Sequence, residues 1–465
     1  MKHYEKYQCV DQRWVKSIPS HWEFFRLKRI FAQRVEKNDP IITENILSLT
    51  AKQGVVPYAE KEGSGGNKPK GDVTQYNIAR PNDLLVNCMN IVAGSAGVSR
   101  YFGAISPVYY ALYPRLDCNI WYYHYLFRLM PFQRSLIGLG KGILMHESES
   151  GALNTVRMRI SMDYLGNVNL PIPPRDEQDQ IVRYLDWQVS KINRLIAAKR
   201  KQIELLKEHK EAFINTAVTR GIVGDVPLKE SGMQWLPKVP AHWKTVPAKA
   251  LFRNISELRH EDDPMLAATQ KYGLIEQAEY MRRENRRIVL ANDNLDKWLH
   301  VEPNDFIISL RSFQGGLEKC DKPGCVTWHY VVLRPQQHVY PPFYKWFFKS
   351  ASYIGALQKT SDFIRDGQDL RFSNFVKVGL FVIPMAEQVK IADRLDSEIP
   401  KYQKAIDTLE KEIQQIIEYR TRLISDVVTG QIDVRGIEIP EYSACDENAS
   451  IDQETEEDLY EQGDE

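Results

Sequence analysis

The chain has 465 residues, 43% hydrophobic and 26% charged, and its 61 basic side chains balance 61 acidic ones. That length predicts two to four domains, each half long enough to bury its own core. No apolar run reaches the roughly 18 residues of a transmembrane helix, Met1 to Val10 lacks the apolar centre of a secretory signal, and six cysteines (Cys9, Cys88, Cys118, Cys320, Cys325, Cys445) lack a framework spacing, so a reduced, cytoplasmic protein with no membrane partner is expected.

Near the start, Trp14-Val-Lys-Ser-Ile-Pro-Ser-His21-Trp22 reads as an extended anchor that packs its rings on a surface. With no second ligand or paired carboxylate nearby in sequence, His21 reads as a packed structural side chain. From Phe24 to Pro173 a mixed α/β domain is expected. Ile46 to Thr50 is a strand, and the Gly- and Pro-rich run Gly63 to Gly71 is a loop. Asn82 to Asn87 is a turn feeding a buried strand, Ala104 to Leu112 supplies another, and aromatic-rich Trp121 to Leu136 is a covering helix.

From Glu177 to Thr219, Ile181, Leu185, Val189, Ile192, Ile196, Ile203, Leu206, Phe213 and Ala217 recur at three, four or seven residues, the period of a coiled-coil seam. Gly221 is the expected C-cap.

The plan then repeats. Trp14, Pro19, His21 and Trp22 recur as Trp235, Pro240, His242 and Trp243, and Pro81-Asn-Asp recurs as Pro303-Asn-Asp. Pro174, Glu177, Gln178, Ile181, Leu185 and Asp186 recur as Pro384, Glu387, Gln388, Ile391, Leu395 and Asp396, and Gly430 closes the second long helix. The numerical shift falls from 221 to 210 between the domains and the helices, which places an insertion in the first domain between Gly138 and Arg159. Pro400 is expected to kink or split the second helix, because it removes a backbone donor and crowds the preceding turn.

Eleven Asp or Glu and no Lys or Arg lie between Glu441 and Glu465, which leaves 61 basic against 50 acidic residues in the body. That balance suits a polyanion, and the tail itself reads as disordered.

The ordered repetition of these motifs resembles the specificity subunits of type I restriction-modification systems, over nearly the whole chain. The resemblance implies an α/β (α+β) protein with a pseudo-two-fold internal repeat: two similar mixed globular target recognition domains separated by a pair of long antiparallel coiled-coil helices. In this sequence the parts are an N-terminal segment completing the repeat (1–19), recognition domain 1 (20–173) and a central spacer helix and linker (174–230). Recognition domain 2 with its N-terminal segment (231–383), a C-terminal spacer helix (384–435) and the acidic tail (436–465) follow. Trp14 to Trp22 should pack near the end of the second helix. Each domain would read one half of a bipartite, asymmetric target in double-stranded DNA, with the helices setting the gap. The resemblance also implies two modification (methyltransferase) subunits and helicase-like ATPase/nuclease restriction subunits as partners. S-adenosylmethionine, ATP and Mg are expected in those partners, with no cofactor in this chain.

Phosphate contacts need Lys and Arg, and base readout needs Arg, Lys, Asn or Gln on exposed loops. In the first domain Lys52, Lys68, Lys70, Asn90, Arg100 and Lys141 fit; in the second, Lys271, Arg282, Arg283, Arg286, Arg287, Arg311, Gln314, Arg365 and Arg371. Glycines after Arg311 would permit close backbone approach to DNA. Arg194, Lys199, Lys201 and Lys207 on the first long helix read as solvated or partner-facing.

No catalytic site is expected. Gly138-Leu-Gly-Lys-Gly142 lacks the Ser or Thr of a phosphate loop. Pro341-Pro-Phe343 follows Tyr340 rather than the Asn or Asp of an amino-methyltransferase tetrapeptide, and Cys320 and Cys325 lack a second pair for zinc. Two alternatives remain open: a self-sufficient nuclease or methyltransferase with its own recognition module, and a coiled-coil assembly protein that reads no sequence.

Overall fold

The computed structural model describes residues 2–50, 54–61, 71–142, 158–222, 224, 226–269, 271–284, 294–309, 312–360 and 371–442. Residues 443–465 of the expected tail and 143–157 of the expected insertion lie outside the described residues. The chain divides into two units, residues 1–200 with 410–465 and residues 201–409. Each holds one mixed domain and one half of each long helix.

In the first unit an antiparallel sheet runs in the order Phe31–Arg34, Tyr109–Pro114, Leu84–Asn87, Ala96–Val98. A second sheet orders Gly54–Pro57, Ile46–Thr50, Gly103–Ile105 and Asn77–Ala79, with the middle pair parallel. The stretch expected as one strand over Ala104 to Leu112 is thus two, in different sheets. They are separated by Ser106-Pro107-Val108, where Pro lacks the donor a ladder needs. The expected helix over Trp121 to Leu136 is likewise two, Ile120–Phe127 and Met130–Ser135, with Pro131 in the first turn of the second.

The second unit repeats the first sheet as Phe252–Ile255, Val331–Pro335, Phe306–Ile308 and Glu318–Lys319. Its register is the same: Phe252 faces Pro335 as Phe31 faces Pro114. The second sheet is reduced to two strand pairs, Leu266–Thr269 with Gly273–Glu276 and Leu299–Val301 with Gly324–Val326. A single bridge, Met265 to Cys325, stands where the first domain has its parallel pair.

The long helices run Arg175–Arg220 and Met385–Val428. In the first unit their halves are antiparallel: Lys199 meets Glu412 at 2.6 Å, and Arg420 donates to Asn193 at 2.7 Å. In the second unit Tyr402 meets His209 at 2.8 Å and Lys210 donates to Gln403 at 3.2 Å, with the same sense. Ile181, Leu185, Ile196 and Ile203 are buried, as are Ile391, Leu395, Ile406 and Ile413, so the apolar stripes are packing seams. Pro400 does not split its helix, which runs unbroken through it. One backbone bond is lost there, and burial of the flanking Leu395, Ile399 and Ile406 offsets it.

Candidate nucleic-acid interface

Each domain is attached to a helix start by the same joint. Glu177 and Gln178 open the first long helix, in its first turn, where a carboxylate is favoured by the helix dipole. Glu177 is buried and gathers the indole N–H of Trp22 at 3.0 Å, His21 at 2.8 Å and the hydroxyl of Tyr4. Gln178 accepts from the backbone N–H of Asn119 at 2.8 Å and donates to the Pro173 carbonyl at 2.7 Å. In the second unit Glu387 meets His242 at 2.7 Å and Trp243 at 3.2 Å. Gln388 accepts from Tyr340 at 2.8 Å and donates to Ile383 at 2.8 Å. His21 and His242 are therefore hydrogen-bonded to carboxylates, not packed alone; the carboxylate lies 156 residues from His21, out of sight in sequence.

The helix ends meet the same anchors. Gly430 has φ 71° and faces Pro19 and Trp22, so a Cβ there would collide with both. Asp433 donates its backbone N–H to the Lys2 carbonyl at 2.9 Å, and Gln431 donates to Ser17 at 3.0 Å. The N-terminal segment thus packs at the end of the second helix. Gly221, φ 79°, ends the first helix facing Glu387 and Trp243.

The Pro-Asn-Asp motif is a turn with a charge clamp. Asn82 and Asn304 take φ of 67° and 77°, a left-handed conformation that Asn tolerates better than most residues. The next residue, Asp83 or Asp305, is buried and held by two guanidinium hydrogen bonds: Arg34 to Asp83 at 2.8 and 2.9 Å, Arg334 to Asp305 at 3.0 and 2.9 Å.

Of the residues expected to contact DNA, Lys52, Lys68, Lys70, Arg286, Arg287, Arg311 and Arg365 lie outside the described residues. Asn90 is exposed in a tight turn after Leu84–Asn87, its carbonyl accepting from Ser95 at 3.2 Å. Arg100 is exposed, its guanidinium 5.2 Å from the Trp121 ring. The backbone of Lys141 pairs with Arg159 at the base of the expected insertion. Lys271 lies in the turn between Leu266–Thr269 and Gly273–Glu276, where contacts with Tyr272 and Glu284 raise its pKa above the ordinary lysine value.

Three placements differ from expectation. Arg282 and Arg283 lie on a helix, Gln277–Glu284, and not on a loop. Arg283 pairs with Glu279, and Lys271 with Glu284 at 2.9 Å, so their charge is shared with the chain's own carboxylates. Gln314 lies in a helical turn, Ser312–Gly315, started by the Ser312 hydroxyl accepting from Ser309 at 2.8 Å. The adjacent Gly316, φ 80°, lets the backbone approach Phe348 of the same domain, which explains the glycine without DNA. Arg371 is exposed at the start of the short helix Phe372–Phe375.

Trp328 belongs to none of the motifs legible in the sequence. It is 44% exposed, stacks on His329 at 3.6 Å, and follows the strand Gly324–Val326. A lone exposed ring gives no periodic signal.

Residues 19–205 match the family described as the type I restriction modification DNA specificity domain. A putative type I restriction enzyme MjaX specificity subunit from Methanocaldococcus jannaschii is 23% identical over 290 residues, 59% of this chain and 62% of that protein. The chain thus spans under two thirds of that relative's length. The type I restriction enzyme MjaVIII specificity subunit of the same organism is 31% identical over 83 residues, 18% of each chain. A solved structure from work on complex assembly and conformational transition of the type I R-M system has a TM-score of 0.59 at 12% identity. The likeness covers 89% of this chain and 99% of that one, and shows the shared fold.

Proposed function

We infer that this chain acts as a specificity subunit of a type I restriction-modification system. Each recognition domain reads one half of a bipartite, asymmetric target in double-stranded DNA, and the long helices fix the untouched gap. The observation that carries this reading is the pair of equivalent joints. Glu177-Gln178 and Glu387-Gln388 attach two domains of one fold to helix starts in the same way. The loops between them differ, as do the residues they present.

A helix of 46 residues extends about 69 Å at 1.5 Å per residue, enough to separate two reading domains by more than the roughly 34–36 Å of one DNA turn. The chain positions and does not cut or methylate. Asn90, Arg100, Lys271, Arg282 and Arg371 offer the donors and cations that contact phosphates and base edges. The chemistry falls to two methyltransferase subunits, which bring S-adenosylmethionine, and to ATP- and Mg-dependent motor-nuclease subunits.

The test is to purify the chain with its methyltransferase partner and map methylated adenines by single-molecule sequencing. One motif of two half-sites with a constant gap is expected. Methylation or cleavage by the chain alone would overturn the reading.

A further inference from the structure

We propose that Glu257, His260 and His300 of the second domain form a binding site for one divalent transition-metal ion, of the zinc class, that staples the loop 256–263 to the strand Leu299–Val301. The donor atoms of these three side chains lie within 4.8 Å of one another. Two imidazoles and one carboxylate are the donor set that zinc takes in many open sites.

The site has the support that metal-binding imidazoles need. His300 is buried, and its Nδ1 lies 2.8 Å from a carboxylate oxygen of Asp263, which fixes the ring and leaves Nε2 as the nitrogen that would bind the ion. The same Asp263 oxygen accepts the backbone N–H of His260 at 2.8 Å, so one carboxylate orients both histidine positions. The backbone holds the third donor: His300 donates its N–H to the Glu257 carbonyl at 2.8 Å, and Leu258 bridges Leu299. The His260 ring stacks on His300 at 3.9 Å, and its Nε2 lies 3.4 Å from Oε1 of Glu257. Donors around a tetrahedral zinc lie roughly 3.3 Å apart, given bonds of about 2 Å. His260 and Glu257 are exposed and free to close that difference while His300 stays fixed.

Arg334 is the opposing charge, 3.7 Å from Oε2 of Glu257, but both of its hydrogen bonds go to Asp305. Oε1 is left facing His260. Three donors are one short of a closed structural site, so solvent completes the coordination on the exposed side.

The first domain supplies an internal control. There Ile78 donates its N–H to the Glu36 carbonyl at 2.8 Å, in the place of His300 and Glu257. Its carboxylate pairs with Arg80 at 3.1 Å, and the loop is held by the buried amide of Asn38, which bonds Ile42, Thr43 and Val73. The same loop is closed by an amide in one domain and by imidazoles in the other.

The test uses the full chain, freed of metal by a chelator and titrated with Zn²⁺ by calorimetry, then with Co²⁺ by absorption. The expected result is one ion per chain and a Co²⁺ spectrum of nitrogen and oxygen ligands without thiolate charge transfer. His260→Ala and Glu257→Gln, both at exposed positions, each weaken binding at least tenfold, while His242→Ala leaves it unchanged. Absence of stoichiometric binding, or binding equally strong in His260→Ala and Glu257→Gln, would overturn the proposal.

Discussion

The two mixed domains solve one problem with differently placed residues. Both bury the Asp of a Pro-Asn-Asp turn, and both neutralise it with a two-pronged arginine. In the first domain that arginine is Arg34, on the edge strand Phe31–Arg34. In the second it is Arg334, on the neighbouring strand Val331–Pro335, where the first domain has Tyr113. The backbone frame and the buried carboxylate are kept while the cation has moved one strand across. What the fold requires is therefore a guanidinium over that turn, from either strand.

The largest effect should come from removing the carboxylate. Asp83→Ala leaves a partly buried arginine without its carboxylate and should cost about 3–5 kcal/mol, read as loss of amide protection in the first domain only; Asp305→Ala should cost less in the second, because Glu302 and Glu257 lie 3.5 and 3.7 Å from Arg334. Arg34→Met should destabilise the first domain by a similar amount, and adding Tyr113→Arg should recover at least half of it. A double variant no more stable than Arg34→Met would show that the two strand positions are not equivalent.

A smaller effect separates the domains by pH. His124 is buried in the first domain, its Nδ1 has no hydrogen-bond partner among the described residues, and burial followed by repulsion from Arg128 and Arg100 holds its pKa down at about 3. The matching position in the second domain is Lys345, 40% exposed and near Asp396. Because the folded histidine stays neutral below its ordinary value near 6.5, the unfolded chain takes up a proton that the native one refuses. The His124 contribution falls as pH drops from about 6.5 toward 3, by roughly 1.4 kcal/mol per unit. Hydrogen exchange of the helix Ile120–Phe127 between pH 7 and 5 should therefore lose about 2 kcal/mol of protection, and His124→Leu should abolish the slope. An unchanged slope in His124→Leu would assign the acid sensitivity elsewhere.

What the sequence made legible follows from which signals are periodic. The long helices, their seams and the doubled plan were readable because apolar spacing and repeated motifs survive without a partner in view. Segment interiors were less so. Pro107 divides a strand and Pro131 restarts a helix, whereas Pro400 leaves its helix intact, because the seam around Pro400 is buried on its neighbours. Local rules weigh the lost donor and not the burial that offsets it. The joints were readable as motifs but not as chemistry: Glu177 meets His21 across 156 residues. For DNA contacts, composition identified exposed cations but not their neighbours. Glu279 and Glu284 share the charge of Arg283 and Lys271, and Gly316 serves the packing of its own domain.

In the proposed function the helices measure a distance between two independent reading domains. Adding one helical turn to both long helices, near Ala198 and near Ile413, and mapping methylated adenines with the methyltransferase partner tests it most directly. The same two half-sites separated by a changed gap are expected. Altered half-sites with the original gap would contradict it.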